Sequence, residues 1–181
     1  HFPKFKENNQ SQRFLTPDEI RKMYAAMERE PNKVAVAALK FLLLTGARKE
    51  EALKAQWHHI DMANGLWHLP QTKSGRGRYV QLSSEAQTVL KELGTHSGST
   101  KWVFPGRDEG KPLNNPRKAF DRVLLAAGIE HLRLHDLRHS FASLAANAGI
   151  SLTVIQNLLG HKSPIQTMRY SHLMNSTLRD A

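Results

Sequence analysis

From residue 16 onward, polar and apolar positions first alternate at helical spacing. Thr16-Pro17-Asp18-Glu19 supplies an N-cap, a proline at the first helical position and a glutamate two residues further on. Ile20, Met23, Tyr24 and Met27 follow at steps of three and four, which predicts a helix over about 17–29. Val34, Ala37, Ala38, Phe41 and Leu42 repeat the pattern over about 32–44. Gly46 stops that helix, and Arg48 opens a short third one reaching about Ala55. The period then changes to two. Asn64-Gly65 between apolar runs predicts a hairpin, and a second turn at 73–77 leads into the alternating stretch Arg78-Tyr79-Val80-Gln81-Leu82. Three antiparallel strands are expected.

Helical spacing then returns. Ser84 and Gln87 predict a capping box for a helix to about Leu93, followed by a Gly-, Ser- and Pro-rich loop over about 94–114. Asn115-Pro116 begins a further helix, with Phe120, Val123, Leu124 and Ala127 on one face and Gly128 as its stop. Two more are expected at about 134–147 and 151–159, ended by Gly149 and Gly160. Ser163-Pro164-Ile165-Gln166 again reads as cap, proline and N3 glutamine, which predicts Tyr170 on a short terminal helix. Without repeats or low-complexity tracts, the pattern predicts one domain at 16–181, mainly α with a small antiparallel β-sheet. Residues 1–15, polar and aperiodic, read as a linker or tail.

Composition narrows the function. A chain of 181 residues, 40% hydrophobic and 23% charged, has the make-up of a soluble globular domain with a real core. It lacks the run of about eighteen apolar residues that a spanning helix needs, and its start lacks a signal-peptide core, so no membrane partner is expected. Having no cysteine, it has neither disulfides nor thiol chemistry, which is compatible with a cytoplasmic setting. Lys and Arg number 26 against 16 Asp and Glu, a net charge of +10 that favours a polyanion such as nucleic acid.

The candidate chemistry gathers in HDLRHSFASLAANAGISLTVIQNLLGHKSPIQTMRYSHL and in LLLTGARKEE upstream. At about 100° per residue, His135, Arg138, His139 and Ala142 share one side of a helix. Leu137, Phe141, Leu144, Ala145 and Ala148 fall on the other, which is expected to face inward. His131, His135 and His139 repeat every four residues, yet HExxH is absent and an arginine stands between the second and third. Asp61, Asp108, Asp121 and Asp136 form no acidic cluster. A metal-free route remains, in which Arg48 and Arg138 each donate paired hydrogen bonds to phosphate oxygens. Tyr170 is the candidate nucleophile, since Tyr24 and Tyr79 sit in core-like periodicity; His135 can take its proton. A lysine on the turn TKSGRGR, Lys73, can protonate the leaving oxygen, although Arg76 and Arg78 share that turn and any of the three can instead touch DNA backbone. Glu51 can cap, or pair with Arg48 or Lys54, and His161 can sit at a helix C-terminus. His58, His59, His68, His96, His139 and His172 receive no catalytic role. The residues alone point to metal-free phosphoryl transfer on a nucleic acid.

LLLTGARKEEAL, LPQTKSGRGRYVQL, LRLHDLRHSFAS and IQNLLGHKSPIQTMRYSH, in that order and spacing, resemble the catalytic domain of a tyrosine recombinase of the phage-integrase type. The resemblance covers nearly everything from 15 to 175 and implies a tyrosine recombinase / DNA breaking-rejoining fold. It implies clamp arginines at Arg48 and Arg138, a supporting acid at Glu51, a general-acid lysine at Lys73 and a proton acceptor at His135. His161 would donate to the phosphate, and Tyr170 would form a covalent 3′-phosphotyrosine. Arg76 and Arg78 remain DNA-binding candidates. No metal, ATP or other cofactor is implied. The implied partners are double-stranded DNA, a homotetramer of the full-length protein on two sites, and DNA-bending accessory proteins. The implied setting is the bacterial cytoplasm or nucleoid. An N-terminal core-binding domain, usual in the family, is expected to be missing from this chain, which then reads as a fragment. Two other readings stay open: a type IB topoisomerase-like enzyme, and a non-catalytic DNA-binding remnant.

Overall fold

Free helix-end amides and carbonyls need partners, and this chain supplies them from its own side chains. The computed structural model describes residues 13–70, 77–94 and 100–177. Helix α1 (Pro17–Arg29) begins with a closed capping box: Glu19 N–H donates to Thr16 Oγ1 at 3.2 Å, and Thr16 N–H to Glu19 Oε2 at 2.9 Å. Arg13 pairs with the same glutamate. Helix α2 (Lys33–Thr45) is capped by Asn32 Oδ1 and ends at Gly46, whose φ of 63° needs a glycine. A short α3 (Lys49–Leu53) follows, with Arg48 as its N-cap residue.

The predicted sheet is present, with strands β1 (Ile60–Asp61), β2 (Leu66–Leu69) and β3 (Arg78–Gln81) in order β1-β2-β3, both pairings antiparallel. Period two puts Trp67 and Leu69 on the buried face of β2 and Val80 on that of β3, whereas Tyr79 is 67% exposed and is not a core residue. Helix α4 (Ser84–Gly94) is capped by Ser83, one residue earlier than the sequence pattern predicts: Ala86 N–H donates to Ser83 Oγ. In the loop after it, the bridge Gln56↔Trp102 pins the chain back to the domain, and Pro105↔Pro112 folds the loop on itself.

Helix α5 (Arg117–Ala127) starts at Pro116, with Asn115 Oδ1 accepting from Arg117 N–H, and ends at Gly128. It packs on α1 and α2, as α4 packs on α2. Between them lies the main core, built round Phe41, whose ring meets Trp67 and Phe104 at centroid separations of 5.0 and 5.5 Å. Tilted aromatic pairs of this kind add about 0.5–1.5 kcal/mol each beyond their buried area.

Helices α6 (Asp136–Asn147), α7 (Leu152–Leu159), α8 (Ile165–Met168) and α9 (Ser171–Thr177) complete the chain. Helix α6 contacts α2 on one side and α7 and α9 on the other. Leu137 belongs to the main core, while Ala142, Ala145 and Ala146 form a second, smaller core with Ile155, Leu159 and Tyr170. The helix is therefore buried on both sides, which the two-faced sequence reading did not anticipate. Leu144 and Ala148, expected inward, are exposed, and Arg138 is 5% exposed. Tyr170 lies in the turn between α8 and α9 rather than on a terminal helix.

Candidate active site

Three segment ends meet at one place: the α2–α3 junction, the start of α6 and the end of α7. Gly46 and Gly160 make this possible. Both adopt left-handed backbone, and a Cβ at Gly46 would lie 2.4 Å from Phe141 Cδ1. At Gly160 a Cβ would lie 2.7 Å from Arg78 Cζ.

Glu51 organises the first arginine. Its carboxylate accepts from Arg48 Nη1 at 3.0 Å and from the Arg48 backbone N–H at 3.0 Å. Arg78 approaches the same carboxylate from β3 as a two-pronged fork, at 2.9 and 3.0 Å. Burial opposes ionisation of Glu51, but Arg78 and the Arg48 amide and charge outweigh it and hold its pKa below the usual carboxylate value. Lys54, a candidate partner from the sequence, pairs with Glu50 instead. Arg48 Nη2 also reaches the Gly160 carbonyl at 3.4 Å.

Arg138 is held differently. Its Nη1 donates to the Gly46 carbonyl and its Nη2 to the Leu159 carbonyl, both at 2.7 Å. Those carbonyls close α2 and α7, where unsatisfied oxygens and the negative ends of helix dipoles gather. Two of the five guanidinium N–H groups are thereby used, leaving three for a ligand. Burial, then the charge of Arg48, pushes the Arg138 pKa down to about 10, so the group remains cationic at neutral pH.

His135 is the N-cap residue of α6 and is exposed. It borders two recesses. One, of about 1020 Å³, is shared with Arg48, Glu51, His59, Lys162 and Gln166; the other, of about 330 Å³, reaches Arg138, Lys49, Asn115 and Arg117. Partial removal from water and then Arg138 lower its pKa. Next to it in sequence, Asp136 is fully buried and accepts from Arg133 through both carboxylate oxygens, which fixes the start of the helix.

His161 follows the left-handed Gly160, and its Nδ1 lies 2.8 Å from Thr167 Oγ1. Burial, then Arg138 and Arg48, bring its pKa down to about 4, so it is neutral at pH 7. Tyr170 is 2% exposed, and its hydroxyl lies 2.6 Å from His139 Nδ1. Burial raises the phenol pKa more strongly than Arg169 and Arg138 lower it.

The structure thus groups Arg48, Glu51, His135, Arg138 and His161, with the buried Tyr170 held against His139. Arg78 binds the Glu51 carboxylate, with a side chain only 17% exposed, instead of lying open for DNA. Lys73 and Arg76 lie outside the described residues. Sequence reasoning missed two residues. His139 shares the Arg138 face of the helix, which was the available signal, whereas Thr167 carries no sequence cue. Among the described residues no group of three or more His, Asp and Glu side chains could hold a metal ion.

The sequence model of the phage integrase family matches residues 13–176. The integrase of Salmonella phage P22 is 33% identical over 187 residues, covering 95% of this chain and 46% of the phage protein. Tyrosine recombinase XerA of Saccharolobus solfataricus is 31% identical over 165 residues, covering 90% and 53%. The chain therefore spans about half the length of these relatives. Among solved structures, the catalytic domain of bacteriophage HP1 integrase superposes with a TM-score of 0.70 at 27% identity, covering 93% of this chain and 92% of that one.

Proposed function

Because this chain belongs to the phage integrase family, we propose that it is the catalytic domain, over 16–181, of a site-specific DNA recombinase. It cleaves and rejoins strands of double-stranded DNA through a 3′-phosphotyrosine. The Tyr170 oxygen attacks the phosphorus, the bond to the 5′ oxygen breaks, and Lys73 protonates that leaving oxygen. The covalent link conserves the energy of the broken bond, so a 5′-hydroxyl from a second strand reverses the step without ATP, metal or other cofactor.

One observation carries the reading. Two guanidiniums, one fixed by Glu51 and one by two helix-end carbonyls, converge with His135 and His161, and Arg48 and His135 border a recess of about 1020 Å³. Their fixed orientation means that little reorganisation is needed as charge builds on the phosphate oxygens. Such preorganised donors are typically worth about 2.7–4 kcal/mol each. His135, at the recess beside Arg138, takes the Tyr170 proton as the phenol oxygen attacks. Neutral His161, held at Nδ1 by Thr167, keeps Nε2 for a phosphate oxygen. Arg76 is a further contact to the DNA backbone. On DNA the full-length protein acts as a homotetramer with DNA-bending accessory proteins, in the bacterial cytoplasm.

The test uses a library of nicked duplexes of randomised sequence, in which release of a short fragment traps the cleaved state. The protein is expected to form a DNA adduct that survives denaturation and disappears in Tyr170→Phe. Duplex binding without any adduct would overturn the reading.

A further inference from the structure

The outer face of the sheet carries a row of four neighbouring rings. Trp67 and Val80 belong to the main core, so the next residues in sequence, His68 and Tyr79, point the other way, and these two are Cα partners across β2 and β3. Their rings lie 4.8 Å apart, tilted by 32°. His59, the residue before β1, meets His68 edge-on at 5.9 Å, and the exposed His58 lies 3.9 Å from His59. The row therefore runs across the sheet. It begins at Tyr79, 67% exposed on the edge strand β3, and reaches His59, which borders the recess of about 1020 Å³ shared with Arg48 and His135. From this arrangement we infer that the face is a second nucleic-acid site, a stacking platform for unpaired DNA bases. The inference goes beyond the clamp described above and rests on the recombinase reading only for the source of those bases, the strand ends that cleavage frees.

The chemistry of the face selects this ligand. A single exposed aromatic side chain needs no explanation, but a contiguous group of them marks a contact surface. Cross-strand pairing accounts for His68 against Tyr79, yet it gives no reason for two further imidazoles ahead of β1. Flat rings with N–H and O–H edges match the faces and edges of nucleobases. Inside a duplex those faces are covered by neighbouring base pairs, so the platform favours unpaired strands. Where the row meets the recess, Arg48, Lys49, Lys54 and Lys162 outnumber Glu50 and Glu51, which suits the backbone of a strand whose bases rest on the rings. Asp61, the acidic residue of β1, is turned to the hairpin, where it accepts from the backbone and side chain of Asn64. Burial, then the charges of His58 and His68, lower the pKa of His59, which keeps that ring neutral at neutral pH and suited to stacking.

The test uses an octathymidylate carrying one central 2-aminopurine, whose fluorescence drops when it stacks, with a duplex of the same sequence as control. At high salt, where attraction to phosphates is screened, the wild-type protein is expected to quench the single strand. Tyr79→Leu is expected to bind that strand about 5–150-fold more weakly, the range for losing one base–aromatic stack, while Tyr79→Phe stays within about twofold of wild type. Affinity for the duplex, which depends on cations along the backbone, is expected to be the same in all three proteins. His68→Leu, on the other strand of the pair, gives an independent reading of the same loss. An unquenched base with the wild-type protein, or single-strand affinity that both leucine variants leave within about twofold of wild type, would overturn the inference. The Tyr170-dependent adduct is a separate measurement. An adduct without quenching removes this inference alone; quenching without an adduct removes the recombinase reading and leaves the single-strand site standing.

Discussion

Arg138 shows how far residue identity carries and where it stops. Its identity and its spacing from His135 mark a phosphate-binding residue, but they do not reveal that the guanidinium sits at 5% exposure between two helix ends. That information lies in the partners, Gly46 and Leu159, which are distant in sequence. His139 was passed over for a similar reason: a histidine beside an arginine on a helix looks like part of a basic face until the Tyr170 hydroxyl is placed against it. Thr167 is the plainest case. It is 1% exposed, and its hydroxyl holds His161 Nδ1 at 2.8 Å. Thr167→Val keeps the shape and removes that partner. Since a typical hydrogen bond contributes about 0.5–1.5 kcal/mol net, the rate of adduct formation is expected to drop by up to about tenfold. A valine variant that cleaves as fast as wild type would show that Thr167 does not set the orientation of His161.

At the scale of elements, most boundaries were legible because the caps are local chemistry. The capping box at Thr16, the asparagine at 32, the hairpin at Asn64-Gly65 and the glycine stops at 46 and 128 all appear in the structure. The misreadings concern orientation. Helix α6 is wedged between two cores, so its hydrophobic pattern does not separate inside from outside, and Tyr170 occupies a turn that periodicity alone extends into a helix. The glycine at 160 matters for a second reason besides its φ of 65°: the Arg78 guanidinium occupies the space a side chain would need. Gly160→Ala is expected to destabilise the fold by at least about 1–2 kcal/mol from left-handed backbone alone. It should also displace Arg78 from Glu51 and Arg48 from the 160 carbonyl. A urea-unfolding comparison reads the first effect, and an unchanged midpoint with full cleavage would contradict the packing described.

For the whole molecule, the fold class followed from the switch between periods, since a helical run, a period-two stretch and a second helical run leave few arrangements in one chain of this length. The net charge of +10 pointed to a polyanion without indicating where it binds. Charged and neutral groups inside the fold also set its response to acid. Glu19 is held at about 2, against an ordinary 4.5, chiefly by Arg13. Burial opposes the ionisation of Asp136 and Glu51, but hydrogen bonds from Arg133 and Arg78 lower both. His139 and His161 are lowered to about 4 from 6.5, mainly by burial. In every case the unfolded chain binds protons more readily than the folded one, so stability is full above about pH 6.5 and falls as acid is added. The histidines act between 6.5 and about 4 and Glu19 between 4.5 and about 2, so the urea midpoint is expected to decline steadily from pH 7 to pH 4. A midpoint that holds or rises over that range would contradict the assigned neutral histidines.

The central claim is that the Tyr170 oxygen becomes bonded to a DNA phosphorus. Its most direct test is to digest the denatured adduct from a nicked duplex and locate the modified residue by mass spectrometry, with the DNA strands labelled at opposite ends. The account predicts a single modified peptide containing Tyr170, joined to the 3′ phosphate of the cleaved strand, with a free 5′-hydroxyl on the other fragment. A linkage to any other residue, or through a 5′ phosphate, would contradict it.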